Sequence, residues 1–175
     1  MSEYSAPQRK KSALGSRAMI TNIEDCSEEE VQAQIGYLAQ TPVRGIAELL
    51  QSGRCRLKKG VVSSLIALGS LNTEFGQIGS LVPPVSNAGK KFRISEIVPL
   101  LRSNSHADDR LRQRIEAFVE ADEQGKVKYN VTIFNYGNVL VIQDGNKRSI
   151  AFYERRKESA SDDIEFSVYI VKPVG

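Results

Sequence analysis

At 175 residues the chain has room for one domain, or one domain with an extension, and can bury a real core. Its 41% hydrophobic and 26% charged residues are an ordinary globular composition, and the longest apolar run, residues 61–68, is too short to span a bilayer. A net charge of +3 permits a nucleotide or nucleic-acid partner without demanding one, while Cys26 and Cys55, far apart and without a CxxC or a His-rich neighbourhood, argue against a metal site. No apolar segment follows the basic N-terminal residues, so no signal peptide is expected. The two thiols read as idle in a reducing compartment, and the expected location is the cytoplasm.

In chain order, residues 1–20 are small, polar and basic (Arg9, Lys10, Lys11, Arg17) and are expected to form a flexible arm, either a solubilising tail or a contact for phosphates. Residues 21–175 are expected to make a single domain, with 21–90 a helical extension and loop and 91–175 the core. A first helix starts at Ser27, which can cap it, with Glu28, Glu29 and Glu30 at the positive end of the dipole. Val31, Ile35 and Leu38 then recur at helical spacing. A second helix is expected with Thr41 as cap, Pro42 in the first turn and Gly53 as stop. Residues 61–69 fit either a third helix or a buried strand, and 69–91, with Pro83-Pro84, read mostly as loop.

From residue 92 the pattern predicts a short strand running into a turn, with Pro99 ending any helix before it. Residues 107–122 form an amphipathic helix with Leu111, Ile115, Phe118 and Val119 on one face, closed by Gly125. A β-hairpin follows over 129–143 around Asn135-Tyr136-Gly137-Asn138. The periodicity then changes from two to helical at Ile150, Phe152 and Tyr153, predicting a helix over 146–157, and 164–171 is the last strand. The fold class is α+β: a small mixed β-sheet with packed helices, plus the N-terminal helical extension.

The chemistry concentrates in Asp144-Gly145-Asn146-Lys147-Arg148, where a strand hands over to a helix. The first N–H groups of a helix lack intrahelical acceptors, and the dipole adds partial positive charge there. Gly145 has no Cβ to block an anion, and Lys147 and Arg148 add full charges, the Arg with a two-pronged fork. Together with Ser149 this string is an anion cradle, or, on a plainer view, an Asp-Gly turn with two solvated cations.

DGNKR resembles the end of the Fic/Doc motif HxFxDGNKR. There a His four residues before the Asp acts on the target hydroxyl; here that position is Leu140, and a hairpin rather than a helix precedes it. A degenerate Fic/Doc-like protein is thus the more remote alternative. The ordered set FRISEIVP, DDRLRQRIEAFVE, VTIFNYGNVLVIQDGNKRSIAF and FSVYIV resembles the ParB/sulfiredoxin-like superfamily over residues 91–174, with DGNKR as a variant of its DGxHR signature. Lys147 stands where His or Arg is usual. The Cys that sulfinic acid repair requires is missing, no helix-turn-helix module follows the signature, and Ala107 stands where the serine-kinase branch has Glu.

The resemblance implies nucleotide binding, with phosphates gripped by the signature helix and with hydrolysis of ATP, CTP or GTP or DNase activity. Stand-alone members act in plasmid and phage biology, including fertility inhibition and interference with DNA transfer. On this reading Gly145, Asn146, Lys147, Arg148, Ser149, Arg102 and His106 hold the nucleotide. Glu96, Asp144 and Arg148 are the catalytic candidates, and Glu96 and Asp144 would hold Mg²⁺, which commonly uses one or two carboxylates and phosphate oxygens. Glu96 also fits a solvated turn residue, Asp144 a helix cap, and His106 a lone surface His. Arg110, Arg112 and Arg114 could meet DNA or form a solvated face. A nucleotide-hydrolysing enzyme, a nucleotide-gated binding protein and an inhibitory interaction protein with a protein target all remain open.

Overall fold

The computed structural model of the chain describes residues 19–73, 92–103, 109–126 and 130–175. Its backbone is organised by one long antiparallel pair, β2 (Cys55–Ser64) against β7 (Asp163–Pro173), running from Cys55↔Pro173 to Ser64↔Asp163. β1 (Thr21–Asp25) flanks β2. On the other side β5 (Thr132–Asn135) joins β7 in parallel and pairs antiparallel with β6 (Leu140–Asp144). Two-residue strands β3 (Asn72–Thr73) and β4 (Phe92–Arg93) complete a mixed sheet of order β1-β2-β7-β5-β6-β3-β4. The α+β expectation holds.

Neighbouring side chains on a strand point to opposite faces, and the core divides accordingly. Leu57, Phe134 and Val171 bury against Leu38 of α1 (Glu28–Leu38) and Ile46, Ala47 and Leu50 of α2 (Arg44–Gln51). Val62, Ile133, Ile142, Phe166, Val168 and Ile170 face the other way. There they meet α3 (Leu65–Gly69), α4 (Ile94–Ser103), α5 (Asp109–Glu123) and α6 (Asn146–Arg156), through Leu68, Ile97, Val98, Ile115, Ile150 and Phe152. The helices therefore form two layers with the sheet between them.

The hairpin, the long amphipathic helix and the helix after Gly145 lie where the patterning predicts. Tyr136 donates its amide to Val139 O at 2.9 Å to close the hairpin, and Gly125, at φ 67°, ends α5. Ser27 caps α1 with a full capping box: its Oγ accepts from the Glu30 amide, and Glu30 Oε2 accepts from the Ser27 amide.

Several expectations need correction. The 21–90 stretch is more than helices and loop, because it supplies β1, β2 and β3. The arm boundary at residue 20 is late by at least one residue, since Ile20 is buried in the main core. The ambiguous 61–69 segment is both things in turn: β2 runs to Ser64, whose Oγ accepts from the Ala67 amide and starts α3. Thr41 does not cap α2. Its hydroxyl donates to Leu38 O at 2.7 Å and accepts from the Val43 amide, so it joins two helices, and α2 begins at Arg44.

Pro99 does not end a helix either; it lies inside α4. A proline there removes one backbone hydrogen bond, at a cost of about 3 kcal/mol in an isolated helix. Burial of Ile94, Ile97 and Val98, at about 1.5–3 kcal/mol per side chain, outweighs it. Of the expected 69–91 loop, residues 74–91 lie outside the described residues.

α5 and α6 are clamped where they cross. The buried carboxylate of Asp122 accepts from Arg155 Nε at 2.5 Å and Arg156 Nη1 at 2.6 Å, and the Arg156 guanidinium lies 3.4 Å over the Phe152 ring. Both arginines are partly exposed, so the pair is worth less than the 3–5 kcal/mol of a fully buried one. Asp122→Ala is expected to lower stability by about 1–3 kcal/mol in urea unfolding. An unchanged midpoint would show that α5 is held by its apolar face alone.

Candidate functional site

β6 becomes α6 in a single residue. Gly145 takes φ 89° and ψ 17°, the left-handed region that side-chain-bearing residues avoid. A Cβ built there would lie 2.8 Å from Val131 Cγ2 and 3.2 Å from Val131 Cα. The turn is therefore closed on its inner side by Val131, immediately before β5.

Helical spacing then sorts the signature residues. Asn146 and Ser149, three apart, face inward and are buried: Asn146 Nδ2 donates to Ile142 O at 3.1 Å, and Ser149 Oγ donates to Gly145 O at 2.9 Å. These two side chains lock the turn instead of facing a ligand. Lys147 and Arg148 face outward and line, with Asp144, Gly145 and Asn146, a cavity of about 450 Å³. α5 forms its other wall with Arg114, Ala117, Phe118 and Ala121. The N-cap residue of α6 is Gly145, which has no side chain to cap it, and no acidic residue sits in its first turn.

The two outward cations differ. Arg148 is committed: its Nη2 donates to Asp144 Oδ2 at 2.7 Å and to the Tyr37 hydroxyl at 3.0 Å. Tyr37 in turn donates to the same Asp144 Oδ2 at 2.8 Å. Asp144 and Arg148 side chains are each only 15% exposed, so this is a largely shielded pair with a phenol completing the triangle. Burial, then the neighbouring Asp144, pushes the Tyr37 hydroxyl above its ordinary pKa, so it remains a proton donor at neutral pH. Lys147, half-buried, has no ion-pair partner among the described residues. Gln34, one turn before Tyr37 on α1, donates to Asn130 Oδ1 at 3.1 Å and Thr132 Oγ1 at 2.9 Å, tying α1 to the start of β5.

Of the residues expected to act together, Asp144, Gly145, Asn146, Lys147 and Arg148 meet at one cavity, and Ser149 lies beneath it. Glu96 does not line it. On the first turn of α4, its Oε2 accepts from the Arg93 amide at 2.8 Å, as a helix cap does. Arg102 belongs to α4, its side chain outside the described part, and His106 lies outside the described residues. Arg114 turns toward the cavity, whereas Arg110 and Arg112, on the same helix, do not line it. No group of three His, Cys, Asp or Glu side chains arranged to hold a metal ion occurs among the described residues. Cys26 is inert by environment: burial, with Glu30 adding to it, pushes its thiol up to about 11.

Sequence reasoning missed Tyr37, Gln34 and the small-residue wall of α5. Their signal was faint but present, since Gln34 and Tyr37 interrupt the apolar stripe of α1 next to Leu38, where a polar side chain needs a partner. No family model, no curated protein and no solved structure matches the chain.

Two glycines test the turn. Gly145→Ala combines a left-handed Cβ penalty of about 1–2 kcal/mol with overpacking against Val131 of about 1–3 kcal/mol. Gly137→Ala in the hairpin has φ 84° but open space around it, so only the first cost applies. Urea unfolding should therefore rank Gly145→Ala clearly below Gly137→Ala. Equal losses would mean that Val131 yields freely.

Proposed function

We propose that this protein binds a nucleotide in the cavity at the start of α6, its phosphates on the first-turn amides and Lys147 and its base against Ala117, Phe118 and Ala121. The observation that carries this reading is the pairing of two unlike walls around one space. One is a helix start led by Gly145 and bearing Lys147, which has no ion-pair partner among the described residues, and the other is the α5 face where Ala117, Phe118 and Ala121 adjoin Arg114. A phosphate seeks the first wall and a flat heterocycle the second. The volume of about 450 Å³ lies within the range of small-molecule sites. The ordered resemblance to the ParB/sulfiredoxin-like superfamily supports the same ligand class, ATP, CTP or GTP.

The donor set fits Mg²⁺ only as a companion of the nucleotide. Asp144 Oδ2 is occupied by two donors, leaving Oδ1 without a partner among the described residues. One carboxylate with phosphate oxygens and water is a usual Mg²⁺ shell. Bound there, the ion would neutralise phosphate charge and polarise a phosphoryl oxygen. Hydrolysis also needs a base for water. Asp144, with two donors on one oxygen, is a weak candidate for that role, so binding with slow turnover or none is the reading favoured here. DNA, contacted through Arg114 and the basic N-terminal residues, would be a further partner, and nuclease action a further activity.

Calorimetric titration with ATP, CTP and GTP, each with Mg²⁺, tests the reading. Lys147→Ala is expected to weaken binding about 10- to 100-fold, the worth of one charge-assisted contact. Lys172→Ala, at a position that does not line the cavity, should bind as wild type. No binding by wild type at millimolar nucleotide, or unaltered binding by Lys147→Ala, would overturn it and favour a protein-interaction role.

A further inference from the structure

We infer that Tyr37 is the positioning residue of this site: its hydroxyl, with Arg148, cancels the Asp144 carboxylate so that an anion can approach the start of α6. The inference rests on the nucleotide reading and extends it, because it makes α1 part of the binding machinery. Asp144 immediately precedes Gly145, at the mouth of the cavity. A bare carboxylate there would repel any phosphate drawn to the helix N-terminus. Two donors meet it on one oxygen, Tyr37 at 2.8 Å and Arg148 at 2.7 Å, and the tyrosine hydroxyl also accepts from Arg148 at 3.0 Å.

The phenol therefore does two jobs. It adds a second hydrogen bond to the carboxylate, and it fixes the guanidinium so that the ion pair stays closed. Gln34, anchored on Asn130 and Thr132 one helical turn away, holds α1 in the position this requires. Thr132 is itself the cross-strand partner of Asp144, so both contacts from α1 fall on the same end of the β5–β6 pair.

A ligand contact and a positioning role differ in how Tyr37 couples to Asp144. ATP binding is measured by calorimetry in EDTA, so that no metal shields the carboxylate, for wild type, Tyr37→Phe, Asp144→Asn and the double variant. Phenylalanine keeps the ring, and thermal melts establish that each variant is folded. Tyr37→Phe is expected to weaken ATP about tenfold, as befits loss of one hydrogen bond to a charged group. In the Asp144→Asn background the same change should alter affinity less than about twofold, because no charge is left to cancel.

If Tyr37→Phe binds as wild type, or if its tenfold loss persists beside Asp144→Asn, the positioning role is wrong while nucleotide binding stands. Should Tyr37→Phe not fold, Asp144→Asn alone decides: in EDTA it must bind ATP at least as tightly as wild type, and weaker binding overturns the inference. If wild type binds no ATP in EDTA or with Mg²⁺, the nucleotide reading fails and the inference falls with it.

Discussion

The turn at Gly145 is the constraint on which the site depends. β6 must end and α6 begin within one residue, and only a left-handed backbone without a Cβ fits beside Val131. Once that residue is set, the rest of the first turn follows from helical geometry. Asn146 and Ser149 fall on the inner side and tie themselves to Ile142 O and Gly145 O, which anchors the helix to the strand it leaves. Lys147 and Arg148 have nowhere to go but outward. The same turn that satisfies packing thus presents two cations and a run of first-turn amides to one cavity.

The site also depends on chain segments far apart in sequence. β2 from the first half of the chain pairs along its length with β7 at the end, and α1 lies on the face of the sheet opposite α5 and α6. Because Tyr37 reaches Asp144 from that layer, the signature residues and the N-terminal helices share one hydrogen-bonded cluster. Edge strand β1 has an irregular register between Thr21 and Glu24, with Asn22 at φ 52°. Its Glu24 and Asp25 pair with Lys59 and Lys58 of β2. A bent, charged edge of this kind discourages pairing with another chain.

What could be read from the sequence was whatever had one dominant local signal. The hairpin announced itself through alternation and Gly137, α5 through its apolar stripe, and α6 through the change of period after Asp144. β2 had no such signal. It buries Cys55 and Leu57 on one face and Gly60 and Val62 on the other, so the alternation breaks in the middle, and Lys58-Lys59-Gly60 reads as loop. α4 was hidden by Pro99, whose local veto is overridden by tertiary burial of three apolar neighbours. For the site, the string Asp144 to Arg148 was legible because its members are consecutive. Tyr37 was not, since nothing in a helix one hundred residues earlier encodes which carboxylate its hydroxyl will meet. The capping contact of Glu96 was hidden for a related reason: it depends on a helix start at Ile94 that Pro99 concealed, and Glu96 there accepts from the Arg93 amide.

The pairing of Arg148 with Asp144 changes what the cradle can offer a ligand. In sequence the string shows two cations and one anion, and Arg148 with its fork is the stronger phosphate binder. In the fold, Arg148 is already engaged by a carboxylate at 2.7 Å, so its charge is largely internal. Such a shielded pair contributes little net stability by itself, and losing one partner costs more than the pair is worth. On the proposed reading, what remains for a phosphate is Lys147, at about 1.5–3 kcal/mol, the helix dipole, at up to ~2 kcal/mol, and Arg114 on the facing wall. Lys147 and the dipole together correspond to roughly millimolar affinity for phosphates alone, so a nucleotide bound as proposed would draw the rest from Arg114 and from its base against Phe118. A site so balanced suits a ligand that exchanges with its surroundings.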